Sequence, residues 1–156
     1  MRALPTDDAA RVPCDADGRR GQYFRVLPNL PTWNPSGYDP RGENSNTISF
    51  RPRWNDDAVH RPGAIAITIA TFDSFTGEIF DADMELNNNT AWSETGEASK
   101  WDYESVVVHE AGHFLGLNHT TNQAVAVMYP TVANGVQKRS LATPDSSDVC
   151  SVYPGV

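Results

Sequence analysis

No stretch of this chain is apolar for the roughly 18 residues that a membrane-spanning helix requires, so no membrane span is expected. Basic residues are also few: 12 Lys and Arg stand against 20 Asp and Glu, for a net charge of −8. Without a basic face nothing holds a phosphate backbone or an anionic bilayer, which excludes nucleic acid and charged membrane surfaces as partners. Cysteine is scarce. The two residues, Cys14 and Cys150, lie near opposite ends and read from composition alone either as buried thiols or as one bridge. The segment Met1 to Asp8 has no apolar core and turns acidic at once, so no secretory signal is expected in it. Histidine is rare as well: four in 156 residues, yet three of the four are His109, His113 and His119.

What is present suits a globular protein. Hydrophobic residues make up 39% and charged residues 21%, and a chain of this length fills one core, so residues 1–156 are expected to form a single domain. Thr6 to Val12 reads as one or two helical turns stopped by Pro13, and Gln22 to Val26 as a short strand. Proline, glycine and asparagine make 27–46 a long loop. Asn46 to Phe50 reads as a strand. Ala64 to Phe72 is the strongest strand, with Ile65, Ile67 and Ile69 on one face and small residues on the other. Asp73 to Gly77 turns the chain and Glu78 to Leu86 returns, giving an antiparallel pair. After a loop over 87–101, Asp102 caps a helix predicted over 103–116, with Val107, Ala111, Phe114 and Leu115 on its buried side. Residues 118–140 show no period. Thr143 as N-cap and Pro144 in the first turn then open a short helix to about Val152. The fold class is therefore α+β, a mixed sheet followed by helices beneath it.

The chemistry concentrates in His109-Glu110-Ala111-Gly112-His113-Phe114-Leu115-Gly116-Leu117-Asn118-His119. On a helix, His109 and His113 project from one face a turn apart. His119, at i+10, reaches the same point only if the chain doubles back, and Gly116 stands where that turn needs a positive φ. Three protein ligands with one position left open is the pattern of catalytic zinc. Glu110, one residue from a ligand, is placed to take the proton of a zinc-bound water during attack on a carbonyl and to return it to the leaving group. A histidine pair at i, i+4 alone is ordinary on an amphipathic helix. The full spacing of three histidines, glutamate and glycine arises by chance in a chain this long at a frequency on the order of 10⁻⁴.

This run resembles the metzincin metalloproteases, whose signature is followed by a methionine-containing turn. Met128, in Ala126-Val127-Met128-Tyr129-Pro130, matches that methionine, which the resemblance places as an apolar floor under the imidazoles. Thr120 after the third histidine and the Met128-Tyr129-Pro130 run are similar to the matrixin branch. Residues 76–83 resemble the strand that precedes the active-site helix in bacterial matrixins. The resemblance implies a metzincin fold: a twisted mixed sheet over the active-site helix (upper subdomain about 1–119) and a small lower subdomain (about 120–156) ending in a helix. It implies further that Pro130, Thr131 and Val132 wall the S1′ pocket, that Asp145 supports the methionine turn, and that an extended polypeptide substrate adds to the edge of the Ala64–Phe72 strand. It also implies a secreted, monomeric enzyme with one catalytic zinc, and secretion favours a Cys14–Cys150 bridge, which on the chain-entropy argument stabilises by about 4–5 kcal/mol.

Some family features have no counterpart. His60 has no histidine partner, so no second zinc is expected. Asp83 and Glu85 are candidate calcium ligands, with a solvated acidic face (Asp73, Asp81, Asp83, Glu85) as the competing reading. Pro144 replaces the first of two aspartates usual in the last matrixin helix. The leading function is a zinc endopeptidase. The alternatives are a catalytically silent metzincin-fold module that binds extended peptides, against which Glu110 speaks, and a zinc hydrolase acting on small esters or amides.

Overall fold

A computed structural model describes residues 37–42, 44–56 and 58–154. The helix and strand expected over 6–12 and 22–26, and Cys14 of the expected bridge, lie outside the described residues. Three strands form the main sheet: β1 (Ile48–Arg51), β2 (Ala66–Phe72) and β3 (Ile79–Asn87). Their order is β1-β3-β2, with β1 parallel and β2 antiparallel to the central β3. The mixed sheet and the antiparallel pair agree with the sequence, and among the described residues β2 lies at the sheet edge. The connecting turn has a local cause: the Asp73 carboxylate accepts from the amides of Phe75 and Thr76, each at 2.8 Å, and Gly77 supplies a φ of +79°.

Register decides what each sheet face does. Ala66, Thr68 and Ala70 stand opposite Leu86, Met84 and Ala82, so the small face of β2 and the large residues of β3 share one side. That side meets helix α1 (Tyr103–Phe114), and the core there is Met84, Leu86 and Val106, packed by Phe50, Trp92, Tyr103, Val107, Ala111 and Phe114. Small residues on β2 let the helix come close. Phe50 stacks on Tyr103 at 6.0 Å, and Trp92 meets the same ring edge-on at 6.0 Å. Val106 is more deeply buried than the residues expected to form the helix's inner side.

The opposite face corrects one expectation. Asp81, Asp83 and Glu85 are buried, not solvated. Buried carboxylates require partners, and for Asp83 and Glu85 the residues before, in and after β1 provide them. Asp83 accepts from the amides of Gly37 (2.6 Å) and Thr47 (2.9 Å) and from the Thr47 hydroxyl. Glu85 pairs with Arg51 at 3.1 Å and with the buried His60. The oxygens of both candidate calcium ligands thus face protein donors. Burial and the neighbouring Asp83 push the Asp81 carboxyl up.

Two departures concern local structure. Within the expected loop 87–101 and its border, β4 (Trp92–Ser93) pairs in parallel with β5 (Trp101–Asp102); two-residue strands are too short to show a period. The last helix, α2, spans Thr143–Val152 with Ala142, not Thr143, as N-cap. Asp145 explains this: its carboxylate accepts the Ala142 amide at 2.8 Å, so the cap position falls one residue earlier and Thr143 enters the first turn.

Candidate metal centre

Helix α1 begins at a strongly tied N-cap. The Asp102 carboxylate accepts from the amide (3.1 Å) and hydroxyl of Ser105, and from Nε (3.0 Å) and Nη2 of Arg139. Arg139 holds the Asp102 carboxyl down at about 2. At its other end the helix stops at Phe114, two residues before the expected limit, because the closing turn takes over there. Gly116 has a φ of +82°, its amide donates to the His113 carbonyl at 2.8 Å, and the Leu117 amide reaches the Gly112 carbonyl at 3.0 Å. That turn sends the chain back toward the helix.

The result is convergence. His109, His113 and His119 bring ligand-capable nitrogens within 4.8 Å of one another, and Nε2 of His119 lies 3.1 Å from that of His109 and 3.0 Å from that of His113. A tetrahedral zinc with bonds of 2.0–2.1 Å requires nitrogens about 3.3 Å apart, so the set fits. Tautomers fit too. Nδ1 of His109 donates to the Val127 carbonyl and Nδ1 of His113 to the Leu117 carbonyl, each at 2.7 Å, which leaves both Nε2 lone pairs facing the common point. Burial lowers His109 to about 4 and also lowers His119; neutral imidazole is the form that ligates metal.

Glu110 is buried on the same helix. Burial raises its carboxyl, against the opposing pull of a hydrogen bond from Thr68 and of His113. The Thr68 hydroxyl lies 2.7 Å from Oε2 of Glu110. An open cleft of about 880 Å³ runs past these groups. Its lining includes Gly63, Ala64, Ala66, Thr68 and Ala70, and Tyr129, Pro130, Thr131 and Val132.

Met128, 1% exposed, packs with Leu117 and Val149 against helix α1 at Gly112. A Cβ on Gly112 would stand 2.1 Å from the Met128 sulfur, so the glycine at that helix position is what lets the methionine pack against α1. Asp145, fully buried, accepts from the amides of Val127 (2.9 Å) and Met128 (3.0 Å). Lys138 donates to the Ala124 and Ala126 carbonyls and sits 5.4 Å over the Tyr129 ring.

His109, Glu110, His113, Gly116 and His119 therefore line one cleft with Pro130, Thr131 and Val132, Met128 and Asp145 are buried outside its lining, and Asp83 and Glu85 lie on the far face of the sheet. Sequence reasoning missed Thr68, Lys138 and the packing role of Gly112. The alternation of β2 put Thr68 on the small face but carried no signal of what that face would meet.

Residues 41–154 match the family described as Matrixin, and the chain belongs to that family. Its α+β architecture is metzincin-like. It is similar to Metalloendoproteinase 2-MMP of Arabidopsis thaliana, 30% identical over 83% of this chain and 45% of that protein. It is similar as well to Metalloendoproteinase 1 of Glycine max, 36% identical over 47% of this chain and 24% of that protein. A third is Matrix metalloproteinase-18 of Xenopus laevis, 38% identical over 56% of this chain and 18% of that protein. The chain spans less than half the length of these relatives.

Proposed function

We propose that this matrixin is a zinc-dependent endopeptidase that cleaves extended polypeptides. The observation that carries the reading is the convergence of three imidazoles on one point beside a buried glutamate in an open cleft. His109, His113 and His119 hold the zinc. When bound, the metal polarises the scissile carbonyl and acidifies the attacking water. Glu110 accepts the water's proton and delivers it to the leaving amine; its burial supports this role, since a base in that environment holds a proton well.

The edge of β2 supports a polypeptide substrate. Its outer backbone groups are placed for an added antiparallel strand, and Pro130, Thr131 and Val132 form the wall that receives the side chain following the scissile bond. Names of the relatives, metalloendoproteinase and matrix metalloproteinase, agree with proteolysis. Residues 1–156 act as one catalytic domain, as a monomer and outside the cell.

Cleavage of casein and gelatin by the zinc-loaded protein, by Glu110→Ala and by chelator-treated wild type tests this. Loss of the base is expected to cost roughly 10²–10⁴-fold in rate, and chelation to abolish cleavage until zinc is returned. Wild type carrying one zinc per chain, by mass spectrometry, that leaves both proteins intact refutes the proposal.

A further inference from the structure

We infer that Thr68 is a positioning residue for Glu110, an inference that rests on Glu110 acting as the base. The Thr68 hydroxyl has one proton and two acceptors within reach, Oε2 of Glu110 at 2.7 Å and the Glu110 carbonyl at 3.1 Å. The shorter contact is to the charged group, and charge-assisted hydrogen bonds are the stronger ones. Among the described residues no other side chain hydrogen-bonds the Glu110 carboxylate.

The donor is also rigid. Thr68 is β-branched, which stiffens χ1, and its backbone is fixed by antiparallel pairing with Met84 in the central strand. Glutamate, by contrast, has three rotatable bonds, and freezing them is costly without a partner. Thr68 therefore clamps one carboxylate oxygen and leaves Oε1 for the reacting proton.

Packing alone does not require a hydroxyl here. Thr68 lies between Ala66 and Ala70 on its face and opposite Met84, where valine fills the same volume. The same strand edge that receives the substrate backbone thus also orients the base, so the two are held in one frame.

Thr68→Val and Thr68→Ser, zinc-loaded, separate positioning from structure. Thr68→Val is expected to lower kcat by about 10- to 100-fold, the loss of a hydrogen bond to a charged group, with KM within about twofold. Thr68→Ser, which keeps the hydroxyl, is expected to return kcat to within about threefold of wild type. Zinc affinity of the metal-free protein, by chelator competition, stays at the wild-type value in both variants, while the thermal midpoint of Thr68→Val falls only by the worth of one hydrogen bond to a charged group and leaves the protein folded at the assay temperature. In a Glu110→Ala background, adding Thr68→Val changes the residual rate no further, because the group it orients is gone.

Wild-type kcat in Thr68→Val overturns the inference. So does a loss of rate that tracks lost zinc or lost fold, a failure of serine to restore it, or additive losses in the double variant. Wild type that cleaves nothing removes the endopeptidase reading and this inference together, whereas active wild type with an indifferent Thr68→Val removes this inference alone.

Discussion

Replacing Asp145 by alanine should weaken the fold and the metal centre together. The carboxylate is fully buried and accepts from three backbone amides, Val127 at 2.9 Å, Met128 at 3.0 Å and Ala142 at 2.8 Å. Hydrogen bonds to charged groups contribute about 1.5–3 kcal/mol each, so simple addition gives roughly 4.5–9 kcal/mol. The three bonds share one carboxylate and are not independent, and breaking a buried charged network costs about 3–5 kcal/mol elsewhere. We expect about 3–5 kcal/mol, a fall in Tm of roughly 10 °C or more for a protein of this size. The same residue is linked through Val127 to His109, a proposed metal ligand. Val127, whose amide Asp145 holds, offers its carbonyl to Nδ1 of His109 at 2.7 Å. Loosening that carbonyl frees the ring, and loss of such support lowers metal affinity by about 10- to 100-fold. Thermal unfolding of metal-free protein and chelator competition for zinc read the two effects separately. Asp145→Asn, which retains one acceptor oxygen, should fall between alanine and wild type in both. A large drop in Tm with zinc affinity unchanged would refute the link from Asp145 through Val127 to His109.

Two further outcomes follow from local geometry. Gly112→Ala places a Cβ 2.1 Å from the Met128 sulfur; overpacking of about 1–3 kcal/mol outweighs a helix-propensity gain of up to about 1, so Tm should fall, and a rise would show that Met128 moves aside freely. Asp102 is held at about 2 by Arg139, a depressed carboxylate that contributes stability above its ordinary range near pH 4 and loses it as pH falls toward about 2. The stability difference between wild type and Asp102→Asn, by denaturant titration, should therefore be constant above about pH 5 and shrink below about pH 4; a gap that persists unchanged to about pH 2 contradicts the pairing.

The parts of this molecule that could be read from its residues are those whose cause lies within one turn or one strand. Helical spacing alone puts His109 and His113 on one face, and a glycine at 116 alone permits the return that brings His119 to them, so three side chains could be grouped before any tertiary contact was known. The turn at Asp73–Gly77 is equally self-contained, since its own aspartate carboxylate ties its amides. The acidic face of β3 shows where that logic stops. Alternation of Asp81, Asp83 and Glu85 correctly marks a strand with one polar face, and a polar face ordinarily points to water. Whether it does depends on Thr47, Arg51 and His60, which lie 36, 34 and 25 positions away and carry no local sign that they will fold over it. Thr68 is the same case at the centre of the molecule. Its hydroxyl meets Glu110 across 42 positions, a pairing fixed by the register of β2 against β3 and the approach of α1, and nothing within either segment encodes it. The grouping of the three histidines was therefore legible from spacing, while the residues that hold such side chains in place come from other segments and emerge once the sheet and helix have been assembled.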